Sequence, residues 1–306
     1  MKRILQNIRV LMSPGRYRAE LRAAERMRGE VREAARGGAE RLCAEGTAGS
    51  NGAADRIRGF LGSRSWEVRN CALKLIAETR CAQLYGTLTA KLLEREEVGI
   101  VRRNCAELLP SIGLRSPEVL SALRQALGDG YWEVRAEAAR ALAGESGQGS
   151  VVSGQQPGKD GQGAEAEGQW AGWAELEAEI LARLLHESNL EARGALVQAL
   201  GALGTGRAAF DALADCARDD ESWLVRHQAA TAIAEMAARK RELAGEAASI
   251  ICSLDLLADG TATTPVFRQH VLELAKLTAD GRLPAREEVT PRYLHLKNGW
   301  LRKNGE

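Results

Sequence analysis

The sequence predicts an all-α protein, a right-handed α-α superhelix (a solenoid) of about six helix pairs. Three observations lead there. A short phrase recurs along the chain at a fixed spacing. The residues after each copy follow the apolar stripe of an amphipathic helix. Sustained apolar/polar alternation bounded by hairpin turns, the mark of β-strands, is almost absent.

The phrase is Ser65-Trp66-Glu67-Val68-Arg69, then Tyr131-Trp132-Glu133-Val134-Arg135, then Ser222-Trp223-Leu224-Val225-Arg226. Anchoring on its arginine adds Arg102, Arg193 and Arg268, with spacings of 33, 33, 58, 33 and 42. Arg103 follows Arg102 directly and is the competing register. Relative to each arginine, positions +3, +4 and +7 are apolar, as in Ala72, Leu73 and Ile76 or Ala138, Ala139 and Leu142. With the residue at −1 they form one helical face. Small residues at +3 and +4 let neighbouring helices approach closely. This stripe defines a second helix of each pair, helix B.

A first helix, helix A, precedes each of these. The clearest begins at Ser116, an N-cap, with Pro117 as first helical residue and Glu118 in the first turn. Val119, Leu120, Leu123 and Leu127 are its apolar face and Gly128 stops it. Similar helices are predicted at about 84–94, 173–186, 206–218 and 243–258. Neither helix of a pair can bury its stripe alone, so stacking stabilises the unit.

The turn before helix B has its own pattern. An acid stands six residues before the arginine in four repeats: Glu96, Asp129, Glu187 and Asp220. Such an acid can cap helix B or meet the arginine of a neighbouring repeat. Ser63 and Ala262 stand there in the first and last repeats. Trp66, Trp132 and Trp223 share one repeat position, which is what residues packing between repeats do.

Composition agrees. The chain has 306 residues, 45% apolar and 27% charged, with only 4% aromatic, so its core is built from Ala, Leu, Val and Ile. Net charge is +1 but unevenly spread. Residues 1–45 carry 11 Lys/Arg against 6 Asp/Glu, and 282–306 carry 6 against 3, leaving an acidic body between basic ends. A nucleic-acid binder is expected to show a basic stripe along its body, so this pattern argues against one. The six cysteines contain no C-x-x-C pair and suggest neither zinc nor a disulfide framework, which implies a reducing, cytoplasmic setting. No spanning apolar run or secretory signal is read.

The division expected is 1–54 as basic and charged N-terminal helices, a cap or docking segment; 55–143 as repeats one to three; 144–172 as an insertion; 173–281 as repeats four to six; and 282–306 as a basic C-terminal cap or tail. The insertion holds nine glycines in 29 residues and reads as a flexible excursion. Within 16–45, Tyr17, Leu21, Ala24, Val31, Ala35 and Leu42 fall near helical spacing, as a coiled-coil seam or a cap would. Ile4, Leu5, Ile8, Leu11 and Met12 form one side of a short basic helix. A membrane-surface role for 1–12 is the minor reading; capping or docking is the major one.

The run Asp129-Gly130-Tyr131-Trp132-Glu133-Val134-Arg135, followed by Ala138, Ala139 and Leu142, resembles the HEAT-like repeat, particularly its short form in phycobilin-lyase-type and bacterial repeat proteins. The resemblance covers roughly 55–280. It implies the solenoid fold and leaves function open, because this repeat serves scaffolds, adaptors, lyases, a hydroxylase and a DNA glycosylase. The hydroxylase reading needs several His-Glu pairs to hold metal, and this chain has His186-Glu187 alone, so no metal, cofactor or catalytic residue is assigned.

The function expected is a non-catalytic scaffold or adaptor that binds a protein partner on its concave face. The alternatives are a phycobilin-lyase-type or other enzyme-accessory subunit and, third, nucleic-acid binding. Positions +1, +2 and +5 of helix B are expected to line the groove: Asn70 and Lys74; Arg103, Asn104 and Glu107; Glu137 and Arg140; Gln198; His227, Gln228 and Thr231; Gln269, His270 and Glu273.

Overall fold

The structure, a computed structural model, describes residues 14–36, 50–112, 116–144 and 173–254. The described residues form twelve α-helices, two short 3-10 turns and no strand. They belong to two compact units, Met1–Gly149 and Ser150–Glu306. Each unit is a stack of helix hairpins, the architecture of an α-α solenoid. The predicted insertion 144–172 apart from its first residue, the segment 1–13, the anchor Arg268, the groove residues Gln269, His270 and Glu273, and the tail 282–306 lie outside the described residues.

The first unit opens with α1 (Pro14–Arg36). Three pairs follow: α2 (Ser50–Leu61) with α3 (Trp66–Thr79), α4 (Tyr85–Leu93) with α5 (Gly99–Ser111), and α6 (Pro117–Ala126) with α7 (Trp132–Ala143). The second unit holds α8 (Trp173–Leu184) with α9 (Leu190–Leu203), then α10 (Arg207–Asp219) with α11 (Trp223–Arg239), and α12 (Ala244–Ser253). Within each pair helix A packs on helix B, and within each unit successive B helices pack on one another: α3 on α5, α5 on α7, and α9 on α11.

Local chemistry sets the boundaries. Ser65 caps α3 by accepting from the Val68 N–H, Ser116 caps α6 through Val119, and Asn189 caps α9 through Glu191 and Ala192. Gly144 ends α7 at φ 81, where a side chain would be strained. Arg80 takes the same left-handed cap after α3, at φ 49.

The predicted stripe is the core. Val68, Val101, Val134, Ala192 and Val225 at −1 are fully buried, as are Leu73, Ala106, Ala139, Val197 and Ala230 at +4. Among the largest fully buried side chains only Phe210 is aromatic, as the composition requires; burying such a ring contributes about 2–3 kcal/mol. In the second unit two glycines bring helices together. A Cβ on Gly201 would stand 2.5 Å from that of Ala232, and one on Gly194 would meet the end of the Gln228 side chain. At Gly201, helices α9 and α11 therefore cross at a distance only glycine permits.

Helix α1 lies along α3, running in the same direction. Its Glu20 meets Ser63 ahead of α3, while Arg28 and Arg32 meet Glu78 near the end of α3. Ala24, Met27 and Val31 are its buried face. Of the spacing read as a seam, Ala24 and Val31 are buried against this unit, Leu21 is half-buried and Leu42 lies outside the described residues. Helix α2 begins at Ser50, inside the segment assigned to the N-terminal helices.

Candidate functional site

The repeat arginines build a ladder between adjacent turns. Arg69 clasps Glu97 with two bonds, Nε–Oε2 2.8 Å and Nη2–Oε1 2.5 Å. Arg102 clasps Asp129 at 2.8 and 2.7 Å, and Arg193 clasps Asp220 at 2.7 and 3.0 Å. In each case the arginine belongs to one repeat and the acid to the next. The remaining Nη1 turns back to a carbonyl of its own turn. It reaches Ser63 from Arg69, Glu97 from Arg102, Asp129 from Arg135, Glu187 from Arg193 and Asp220 from Arg226. The acids also accept a backbone N–H where helix B starts: Tyr131 donates to Asp129, Asn189 to Glu187 and Ser222 to Asp220. Capping and cross-repeat pairing, read from the sequence as alternatives, are done by the same carboxylates.

One anchor is corrected. In the second pair the acid is Glu97, not Glu96. Glu97 is 3% exposed, whereas Glu96 is exposed at the surface. The longer glutamate side chain reaches Arg69 from one position nearer the helix. Four charges in a row, Glu94-Arg95-Glu96-Glu97, hid that choice. Burial pushes the Glu97 carboxyl up, but hydrogen bonds from Arg69 and the Val98 N–H, with Arg69 and Lys91 charges nearby, outweigh it and leave it below the usual range. Arg193 is raised by its bond to Asp220. Arg102, not Arg103, takes the anchor position.

The helix-B face needs a larger correction. Position +2 does not line a groove: Cys71, Asn104, Glu137 and Ala195 are all buried, Asn104 and Glu137 against the preceding helix B. At +1, His227 is buried too, while Asn70 and Arg103 are half-buried. Two of the buried polar groups there are satisfied by neighbours: Asn104 donates to Asn70 at 2.5 Å, and Glu137 lies between Arg103 at 3.9 Å and Arg140 at 3.3 Å. Gln228 packs over Gly194 with its Oε1 buried and unpartnered. Only +5 is accessible in every described repeat: Lys74, Glu107, Arg140, Gln198 and Thr231.

A family model described as HEAT repeats matches residues 87–152 and 173–234. These segments are HEAT repeats. The match covers pairs from both units and includes the Arg102–Asp129 and Arg193–Asp220 rungs. No curated protein matches the chain.

Within the helix pairs, Trp66, Trp132, Leu190 and Trp223 each begin a helix B, and Gly99 holds that place in α5. There the Tyr131 ring of the next turn fills the space: a Cβ on Gly99 would stand 2.5 Å from its Cδ1. Trp132 and Trp223 are half-buried, while Trp66 is 36% exposed. His186 is exposed, and its neighbour Glu187 serves the turn of α9. Burial pushes the Cys105 thiol strongly up and that of Cys216 to about 11. Both remain protonated at neutral pH, so neither is an activated nucleophile. Among the described residues no helix is long and apolar enough to cross a membrane.

Proposed function

We propose that this chain is a non-catalytic HEAT-repeat scaffold that holds a protein partner along the helix-B face of its repeats. The observation that supports this is the accessible +5 row. Lys74, Glu107 and Arg140 recur on successive helices of the first unit, and Gln198 and Thr231 on those of the second. Beneath each row the ladder and the buried stripe fix the helices, so the row is presented on a rigid support. Mixed polar side chains at one repeat spacing suit an extended peptide or helix, fixing its register while apolar contacts supply affinity.

Charge reversal of Arg103 and Arg140 is a poor test, because both attend the buried Glu137. The suitable variant is Lys74→Ala with Glu107→Ala, paired with Gln198→Ala and Thr231→Ala. A partner captured by the native chain and identified should be lost by this variant while circular dichroism and melting stay intact. Undiminished capture would remove the +5 row from the interface.

A further inference from the structure

Between α1 and the end of α2 the first unit holds an open cavity of about 500 Å³. Its walls come from three places. Glu20 belongs to α1, Arg56, Gly59 and Phe60 belong to α2, and Ser63 and Arg64 belong to the turn that leads to α3. A volume of this size is that of a small-molecule site.

The charges that line it differ in what they already hold. The Glu20 carboxylate is engaged, since Ser63 donates its hydroxyl to it at 2.6 Å. Arg56 and Arg64 are exposed, and among the described residues neither side chain has an ion-pair or hydrogen-bond partner. Neighbouring arginines are committed: Arg58 meets Asp55 at 2.5 Å, and Arg69 clasps Glu97. The carbonyl end of α2, which would oppose an anion, is tied back. Gly62 and Ser63 donate their N–H groups to the Arg58 and Phe60 carbonyls, each at 3.1 Å. Beside the two guanidinium groups, Phe60 is half-buried and Gly59 leaves its place open, for a Cβ built there meets nothing within 4 Å.

We infer that this cavity binds a small organic anion, a carboxylate or phosphate held by Arg56 and Arg64 and joined to an aromatic ring that lies over Gly59 and Phe60. A guanidinium offers paired N–H donors that match either head group. Two unpaired arginines against one carboxylate already hydrogen-bonded select an anion over a cation. Phe60 selects an aromatic body over a bare ion. Helices α1 and α2 and the turn after them carry no +5 residue, so the inference does not rest on the proposed scaffold role.

The test titrates the full chain with benzoate, phenyl phosphate, inorganic phosphate and benzylamine by isothermal calorimetry. At least one of the two aromatic anions should bind saturably, and inorganic phosphate and benzylamine should bind about tenfold more weakly or less. Arg56→Gln with Arg64→Gln should weaken the aromatic anion about tenfold or more. Gly59→Leu fills the open space and should do the same. Its melting temperature should hold or rise, because the new side chain displaces no neighbour and leucine favours a helix over glycine. Arg241→Gln, exposed in the second unit, should change nothing. No saturable binding, equal binding by either cavity variant, or equal affinity for benzylamine or inorganic phosphate overturns the inference.

Discussion

Arg102 and Asp129 face each other across two turns, Nε–Oδ2 2.8 Å and Nη2–Oδ1 2.7 Å, with side chains only 10% and 12% exposed. Arg135, in Asp129's own repeat, holds the backbone carbonyl of Asp129 at 2.9 Å. The carboxylate thus fastens one repeat to the one before it, while the carbonyl is held from within.

The Arg102–Asp129 pair should therefore show coupling. Arg102→Ala and Asp129→Ala should each cost about 3 kcal/mol, because each leaves a buried charge without its clasp. The double variant should fall short of the sum by about 1–3 kcal/mol. Denaturant unfolding of the four proteins measures this. Strict additivity would mean that the two side chains stabilise the fold independently.

Acid should weaken the first unit through Glu78 and Glu97. Burial opposes ionisation of both, yet Arg28 and Arg32 hold Glu78, and Arg69 holds Glu97, below the usual carboxylate range. A depressed folded-state value means stability that is present above the unfolded value and is lost as pH falls through the folded one. Melting temperature should drop between about pH 5 and pH 2. A Glu78→Gln, Glu97→Gln variant should melt lower at neutral pH and depend less on acid. A variant with an unchanged pH profile would assign the acid response to other groups.

Two glycine replacements should have opposite signs. Gly201→Ala drives a methyl into Ala232 and should destabilise by about 1–3 kcal/mol through overpacking. Gly29→Ala, in the middle of α1 with nothing within 4 Å of the new Cβ, should stabilise by about 0.5–1 kcal/mol. Thermal melts of the two single variants decide the matter.

The Gly99–Tyr131 contact offers a compensation test. Gly99→Trp restores the indole found at that place in other repeats but collides with the Tyr131 ring. It should destabilise alone by about 1–3 kcal/mol, and Tyr131→Ser should recover part of that loss. If the tyrosine change adds a further loss instead, the ring does not stand in for the indole.

How far the sequence was legible follows from which neighbour buries each residue. The −1, +3, +4 and +7 stripe was readable because helical periodicity records burial against a partner helix, and Val68, Ala72 and Ile76 are all buried as that pattern requires. Position +2 was misread because Asn104 and Glu137 are buried against the preceding helix B, and polar residues give no periodic sign of that. The arginines were legible as a repeated row, and Asp129 and Asp220 as acids able to meet them, but a spacing of 33 does not say which neighbouring turn each arginine faces. Glu97 was hidden among adjacent acids. The exposed Leu185 and Leu190 carry no pattern that separates them from core leucines.

A stack of like repeats has no intrinsic last member, for the terminal turn of one molecule could receive the arginine of another. The first unit answers this at Ser63, where the repeat acid is absent and a hydroxyl donates to Glu20 at 2.6 Å. The polarity of the rung is reversed: the helix supplies the carboxylate and the turn supplies the proton. An incoming arginine finds no acid in that turn, and α1 already covers the flank of α3. A rung of the kind that joins the other repeats therefore has no acid to receive it at this turn.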